Sequence, residues 1–287
     1  MLVFKQEITS FISTNLEQPR AEWVSTSTYD YQIEVTYKNH VYRSIIDGNI
    51  GVTPSLNTGK WLLWSVDNSY AAIDMHSLTD SIMDDGLLHI EYTFAADGFN
   101  ILLLMGVYAL SVEILEYNIT DTLLNTTTKS GIPTAGKESD TIDMTLQTIN
   151  ADTSYITVKI YKRTDGIAYI STMAGGEAFD IGAAQFGLEG GLIDFSLRET
   201  DKNGITSITK RNVKETMKAS LVMNSSITQS VKKFIKSCMG DVVLFLADTS
   251  IDSNYENLTM IGYITDFSIN IANPVKSYGS IEIEESL

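Results

Sequence analysis

For most of its length the chain alternates apolar and polar residues over short stretches, the period of strands with one buried face. Leu88, Ile90, Tyr92 and Phe94 are separated by polar neighbours, and Leu110, Val112 and Ile114 repeat the pattern. Ile142, Met144, Leu146 and Thr148 follow, then Ile156, Val158 and Ile160. Strands of this kind must cover each other's apolar faces, so residues 76–200 are expected to form an antiparallel β-sandwich. Asp97-Gly98 and Asp165-Gly166 read as hairpin turns. The Thr-, Ser- and Gly-rich stretch 125–140 reads as a long exposed loop, and the glycines at 175–176 and 187–191 read as turns.

The flanks differ. In residues 1–20, Leu2 to Phe4 form an apolar patch and Ile8, Phe11 and Ile12 fall at helical spacing, which predicts a short helix or a docking arm ending at Pro19. Residues 21–75 are aromatic-rich. Ile33, Val35 and Tyr37 alternate, Lys38-Asn39 makes a turn, and Val41-Tyr42 starts a return strand. Asp47 to Lys60 holds three glycines and Pro54 and reads as an ordered loop. In residues 201–287, Asn224-Ser225-Ser226 offers capping chemistry. Ile227, Val231, Phe234, Ile235 and Cys238 then recur at helix spacing, with Lys232, Lys233 and Lys236 opposite and Gly240 as the stop. Strands are expected on either side of this helix. The fold class is therefore mainly β: a small aromatic β module, a sandwich, and a C-terminal α+β packing unit with one helix.

Composition narrows the function. The chain has 287 residues and a formal net charge of -16, which disfavours nucleic acid as a partner. The longest apolar run, Ile101 to Leu110, is far short of the roughly 20 residues that span a bilayer, so no membrane insertion is expected. The acidity is uneven: Lys202 to Lys236 contains eight basic residues and one acid, Glu215. Lys210, Arg211, Lys214, Lys232, Lys233 and Lys236 are candidate assembly contacts, since a basic stretch can meet the acidic face of a neighbouring copy.

Candidate chemistry is sparse. His40, His76 and His89 form no pair at metal-ligand spacing, and the lone Cys238 lies on an apolar helix face. The glycine clusters are not followed by Lys-Ser/Thr. Asp84-Asp85-Gly86 lacks calcium-loop spacing. No catalytic residue, metal or cofactor is expected, and the chain reads as a binding protein. The aromatic segment is the best recognition surface, because flat rings stack on sugars; Trp23, Tyr29, Tyr42, Trp61 and Trp64 are candidate glycan-binding residues.

Trp23, Tyr29, Val35, His40-Val41-Tyr42, Asn49, Pro54 and Trp61 resemble the short chitin-binding type of carbohydrate-binding module. Trp64 followed by Asn68 to Asp74 looks like the signature that follows such a module in structural proteins of tailed bacteriophages. Gly182 to Gly187, Ile193 to Ser196, Gly262 to Phe267 and Asn273-Pro274 to Ile283 fit the same proteins. The resemblance implies a virion protein of the tail or baseplate, made in the host cytoplasm. It would be β-rich and oligomeric, and would link the tail hub or tube to fibres. Its partners would be other tail proteins and copies of itself, with a host surface glycan as an alternative partner. A polysaccharide depolymerase is the remaining alternative.

Overall fold

The computed structural model describes residues 1–17, 20–76, 79–83, 85–130, 141–185, 188–200, 202, 206–246, 259–271 and 274–286. The protein is mainly β, with antiparallel sheets and, among the described residues, one α-helix. Three sheets and the helix stack in layers. The outer sheet runs Leu123–Ser130, Ser111–Tyr117, Tyr155–Tyr161, His89–Ala95, Ser13–Thr14. The middle sheet runs Thr141–Thr148, Ile101–Tyr108, Tyr169–Gly176, Ser81–Ile82. The third sheet runs Phe179–Asp180, Leu2–Lys5, Val243–Leu246, Thr259–Asn270, Lys276–Glu285, Val213–Asn224, Ala183–Ala184, and Glu189–Asp194 also pairs with Val213–Asn224.

The middle sheet explains the apolar run at residue 101. Leu102 and Leu104 face the outer sheet beside Tyr92, Phe94 and Ile114, whereas Ile101 and Leu103 face Phe4, Leu244 and Ile261 of the third sheet. A strand covered on both faces needs no polar positions. Each fully buried aliphatic side chain contributes about 1.5–3 kcal/mol, so this run is a large share of what binds the layers. The helix α1, Thr228–Cys238, closes the stack by packing Val231, Ile235 and Cys238 on the far face of the third sheet. The Asn224 side chain accepts from the Ser226 amide at 3.0 Å, capping the turn that leads into it.

Several expectations are corrected. Residues 1–17 form no helix. Leu2–Lys5 is a strand of the third sheet, Ile8 enters the sandwich core, Phe11 rests on Tyr70 and Tyr92, and Ser13–Thr14 edges the outer sheet. The arm docks on its own chain because its apolar residues alternate locally and then separate to reach different layers. Asp97-Gly98 and Asp165-Gly166 are turns, but the strands they join lie in different sheets. The local reversal is read correctly and the partner is not, because burial between layers selects the pairing. Leu123–Ser130 is an edge strand where a loop was expected, its threonines suiting a half-solvated sheet; residues 131–140 lie outside the described residues. Gly175 and Gly176 are in a strand and not a turn: a Cβ on Gly175 would stand 2.8 Å from the Phe99 ring, and one on Gly176 2.7 Å from the Lys5 carbonyl oxygen. The expected sandwich end at 200 also shifts, since 179–194 pair with the third sheet.

Among the described residues, no helix is long and apolar enough to cross a membrane, and no group of three or more His, Cys, Asp or Glu could hold a metal ion.

Candidate functional site

Two surfaces stand out, the aromatic module and a ribbon at the edge of the third sheet. The module is a three-stranded sheet, Glu34–Tyr37, His40–Ser44 and Trp61–Val66. Lys38 and Asn39 take φ of 50° and 64°, a tight two-residue turn that sets Val35 opposite Tyr42 and Glu34 opposite Arg43. Alternation then sorts the side chains. On one face Val35 and Trp61 join Tyr29 in a small core, with Trp23, Tyr42 and Val52 packed against it.

This placement corrects the glycan-binding set. Trp61 is 2% exposed and donates through Nε1 to the Val52 carbonyl at 2.9 Å. Tyr29 is buried, and its hydroxyl accepts from the Val24 amide at 2.7 Å. Both rings are committed to the core, because a unit this small needs its large side chains inside. Trp23 is half-buried, edge-on to Tyr37 at 5.5 Å. Tyr42 is half-buried, and burial raises its phenol pKa. Of the five, only Trp64 is exposed, at 48%.

Trp64 belongs to a cluster that the sequence did not single out. The pairing of the last two strands shifts between Val41 and Tyr42, leaving Trp64 unpaired at a bulge. The Arg43 guanidinium lies over its ring, 3.3 Å from the centroid. Arg43 also bonds Glu34 at 2.5 Å, and Arg20 bonds the other oxygen of Glu34 at 2.6 Å. The hydrogen bonds from Arg43 and then Arg20 hold the Glu34 carboxyl below its ordinary pKa. Leu62 and Leu63, also exposed, lie on the two faces of the same strand, Leu62 opposite Arg43 and Leu63 opposite Tyr42. Glu34 and Arg43 were detectable in principle, since the turn at 38–39 places them opposite each other.

A cleft of about 300 Å³ between the module and the N-terminal arm is lined by His40, Tyr70, Ile73 and Asp74. Burial raises the Asp74 pKa, but its oxygens accept from the His76 amide and the Thr79 hydroxyl. Asp74 therefore holds its own loop together. Asp84 lies outside the described residues.

The ribbon is built from Glu189–Asp194 paired with residues 213–218, continued by Leu197–Thr200 paired with Thr206–Thr209. Every residue of Glu189–Asp194, Leu197–Thr200 and Thr206–Thr209 is exposed; the ribbon is rooted in the body at Met217, which is buried in the helix-side core, and its outer part, Leu197–Thr200 with Thr206–Thr209, is exposed on both strands. Leu192, Ile193, Phe195, Leu197, Ile208 and Val213 nonetheless point apolar groups at solvent. The ribbon also carries three of the expected basic contacts. Lys210 sits where the pairing slips by one residue, and Arg211 is exposed beside it. Lys214 bonds Glu284 at 2.9 Å and lies 6.0 Å from the Phe195 ring.

The basic residues do not form one patch. Met217 points to the helix side of the third sheet, so Lys214, three residues before it, points to the opposite side. Lys232, Lys233 and Lys236 are exposed on the solvent face of α1. Strand alternation and the helix thus split a run that is continuous in sequence onto two sides of the sheet. Leu192, Ile193, Phe195 and Leu197 fall inside the expected sandwich of 76–200, and Ile208 and Val213 inside the C-terminal packing unit, so the sequence alone does not mark them as one exposed surface. No protein-family model matches the chain, and no curated protein matches it.

Proposed function

We propose that the chain is a structural component of a tailed-bacteriophage virion, an adaptor of the tail or baseplate that works through docking surfaces and repeats around an oligomeric ring. The observation that carries the reading is the ribbon, a two-stranded projection with six large apolar side chains in solvent. Its outer part, Leu197–Thr200 with Thr206–Thr209, is a separate two-stranded sheet, which is marginal in water, and burying such residues against a partner recovers about 1.5–3 kcal/mol for each one fully covered. A subunit destined for permanent assembly accounts for that exposure. The scattered motifs at Trp64, Asn68 to Asp74 and Gly262 to Phe267 supply the phage context. The partners are other tail proteins and further copies of the chain.

Cryo-electron microscopy of the parent virion, with mass spectrometry of its tails, tests the reading. The expected result is density for this chain in a ring on the tail. Its absence from purified virions overturns the proposal.

A host-glycan role keeps one specific support, the exposed Trp64 ring with Arg43 on it. Binding on a glycan array that Trp64→Ala abolishes would favour this second reading; an array without binders would remove it.

A further inference from the structure

The bend of the ribbon at Lys210 and one end of the sandwich are opposites in charge. From Lys210 to Lys214 the sequence carries three basic residues and no acid, on a chain whose net charge is -16, and with Lys214 held by Glu284 the exposed charges of the bend are Lys210 and Arg211. The acidic counterpart is assembled by topology. Ala95 pairs with Tyr155, Tyr155 with Tyr117, and Ile101 with both Thr148 and Gly176. These registers bring the connections 96–100, 118–122 and 149–154, together with Glu177, to one end of the sandwich. Asp97, Asp121, Asp152 and Glu177 are all exposed there, and none of those connections contains Lys or Arg.

We infer that the ribbon of one copy docks its Lys210-Arg211 bend on this acidic sandwich end of a second copy, in a head-to-tail contact. The inference rests on the reading of the chain as an assembly subunit and names the partner of its ribbon. Charge selects the second copy: strongly acidic chains repel each other except where patches of opposite sign meet, and here both patches are on the same molecule. The apolar ribbon residues supply the area that charge alone would not. Because the two patches differ, the contact is heterologous, and its repetition closes a ring or extends a filament.

The test is self-association of the full chain by analytical ultracentrifugation at low and high salt. Wild type should form concentration-dependent oligomers at low salt that dissociate as salt screens the contact. Lys210→Glu/Arg211→Glu should weaken association roughly ten-fold or more, and so should Asp97→Lys/Asp121→Lys/Asp152→Lys. Circular dichroism should show both variants folded, and a chain carrying both reversals should associate again. A wild type that stays monomeric at low salt, or reversals that leave its oligomers unchanged, overturns the inference. Virion location is read independently: a chain found in the tail but monomeric here loses only this contact, and a chain that oligomerises through the ribbon but is missing from virions loses only the phage reading.

Discussion

Arg43 stacks its guanidinium 3.3 Å from the centroid of the Trp64 ring while its Nη2 bonds the Glu34 carboxylate at 2.5 Å. The bulge that frees Trp64 from pairing thus places it where a cation already fixed by an acid can cover one ring face. Leu62 and Leu63 are apolar and exposed as well, so the last strand of the module sheet carries three large apolar side chains in solvent, with Arg43 of the neighbouring strand over one of them.

The Glu34 cluster makes the module's stability depend on pH. The folded carboxyl lies below its ordinary value of 4.5, held there by Arg43 and then Arg20. Stability from a depressed carboxyl is complete above the pKa of the unfolded chain and is lost as pH falls through the lower folded value. Glu34→Gln should cost about 0.5–1 kcal/mol at neutral pH, a modest figure because water reaches the cluster. The gap between variant and wild type should close under acid. All three tryptophans, Trp23, Trp61 and Trp64, lie in the module, so urea unfolding followed by tryptophan fluorescence reads this unit alone. A gap unchanged at low pH would contradict the account.

Two tryptophans three residues apart should behave oppositely. Trp61→Ala empties the core beside Tyr29 and Val35 and should destabilise the module by about 3–5 kcal/mol, enough to unfold it. Trp64→Ala removes a surface ring and should cost under about 1 kcal/mol. The same fluorescence experiment separates them. Equal losses would mean that Trp64 packs as a core residue.

The sandwich contains a buried carboxylate with polar neighbours in place of a cation. Glu116 is fully buried and accepts from the Asn150 amide at 2.8 Å, Asn125 Nδ2 at 2.9 Å and Thr153 Oγ1 at 3.1 Å. It fastens the connection 149–154 to the strand Ser111–Tyr117. Glu116→Ala leaves those donors without an acceptor and should cost roughly 2–4 kcal/mol, whereas Glu116→Gln keeps one acceptor oxygen and should cost less. Thermal unfolding followed at far-ultraviolet wavelengths orders the three proteins. Equal stability of Glu116→Ala and wild type would refute the role.

These cases show what the sequence disclosed. Alternation reveals the strands around Tyr92, Val112 and Val158, and helical spacing reveals α1, because those signals are local. The Glu34–Arg43 pair was within reach once Lys38-Asn39 was read as a two-residue turn, since that turn fixes the register. Asp97-Gly98 gave a reversal without its partner, as pairing depends on which layer covers Ile101 and Phe94. Glu116 looked like one more polar position in an alternating strand, and its donors come from residues up to 37 positions away. Ile193 and Phe195 fall inside the stretch expected to be sandwich, and their exposure is not legible there, because apolar alternation does not tell a covered face from one left bare.

Cys238 offers a probe of the layer that α1 closes. The thiol is fully buried against the third sheet, and burial raises its pKa. Only the thiolate reacts quickly with disulfide reagents, so both access and ionisation are suppressed in the folded protein. Labelling should be slow in native buffer and should quicken only when the helix lifts from Val231, Ile235 and the sheet beneath. Phe234 stacks on Phe179 at 4.8 Å on the same side of α1, so Phe234→Ala should speed labelling at pH 8 several-fold without changing the tryptophan fluorescence of the distant module. As this is the single cysteine of the chain, every labelled molecule reports the same opening. Rapid labelling of the wild type would place Cys238 at the surface and contradict the packing of the helix.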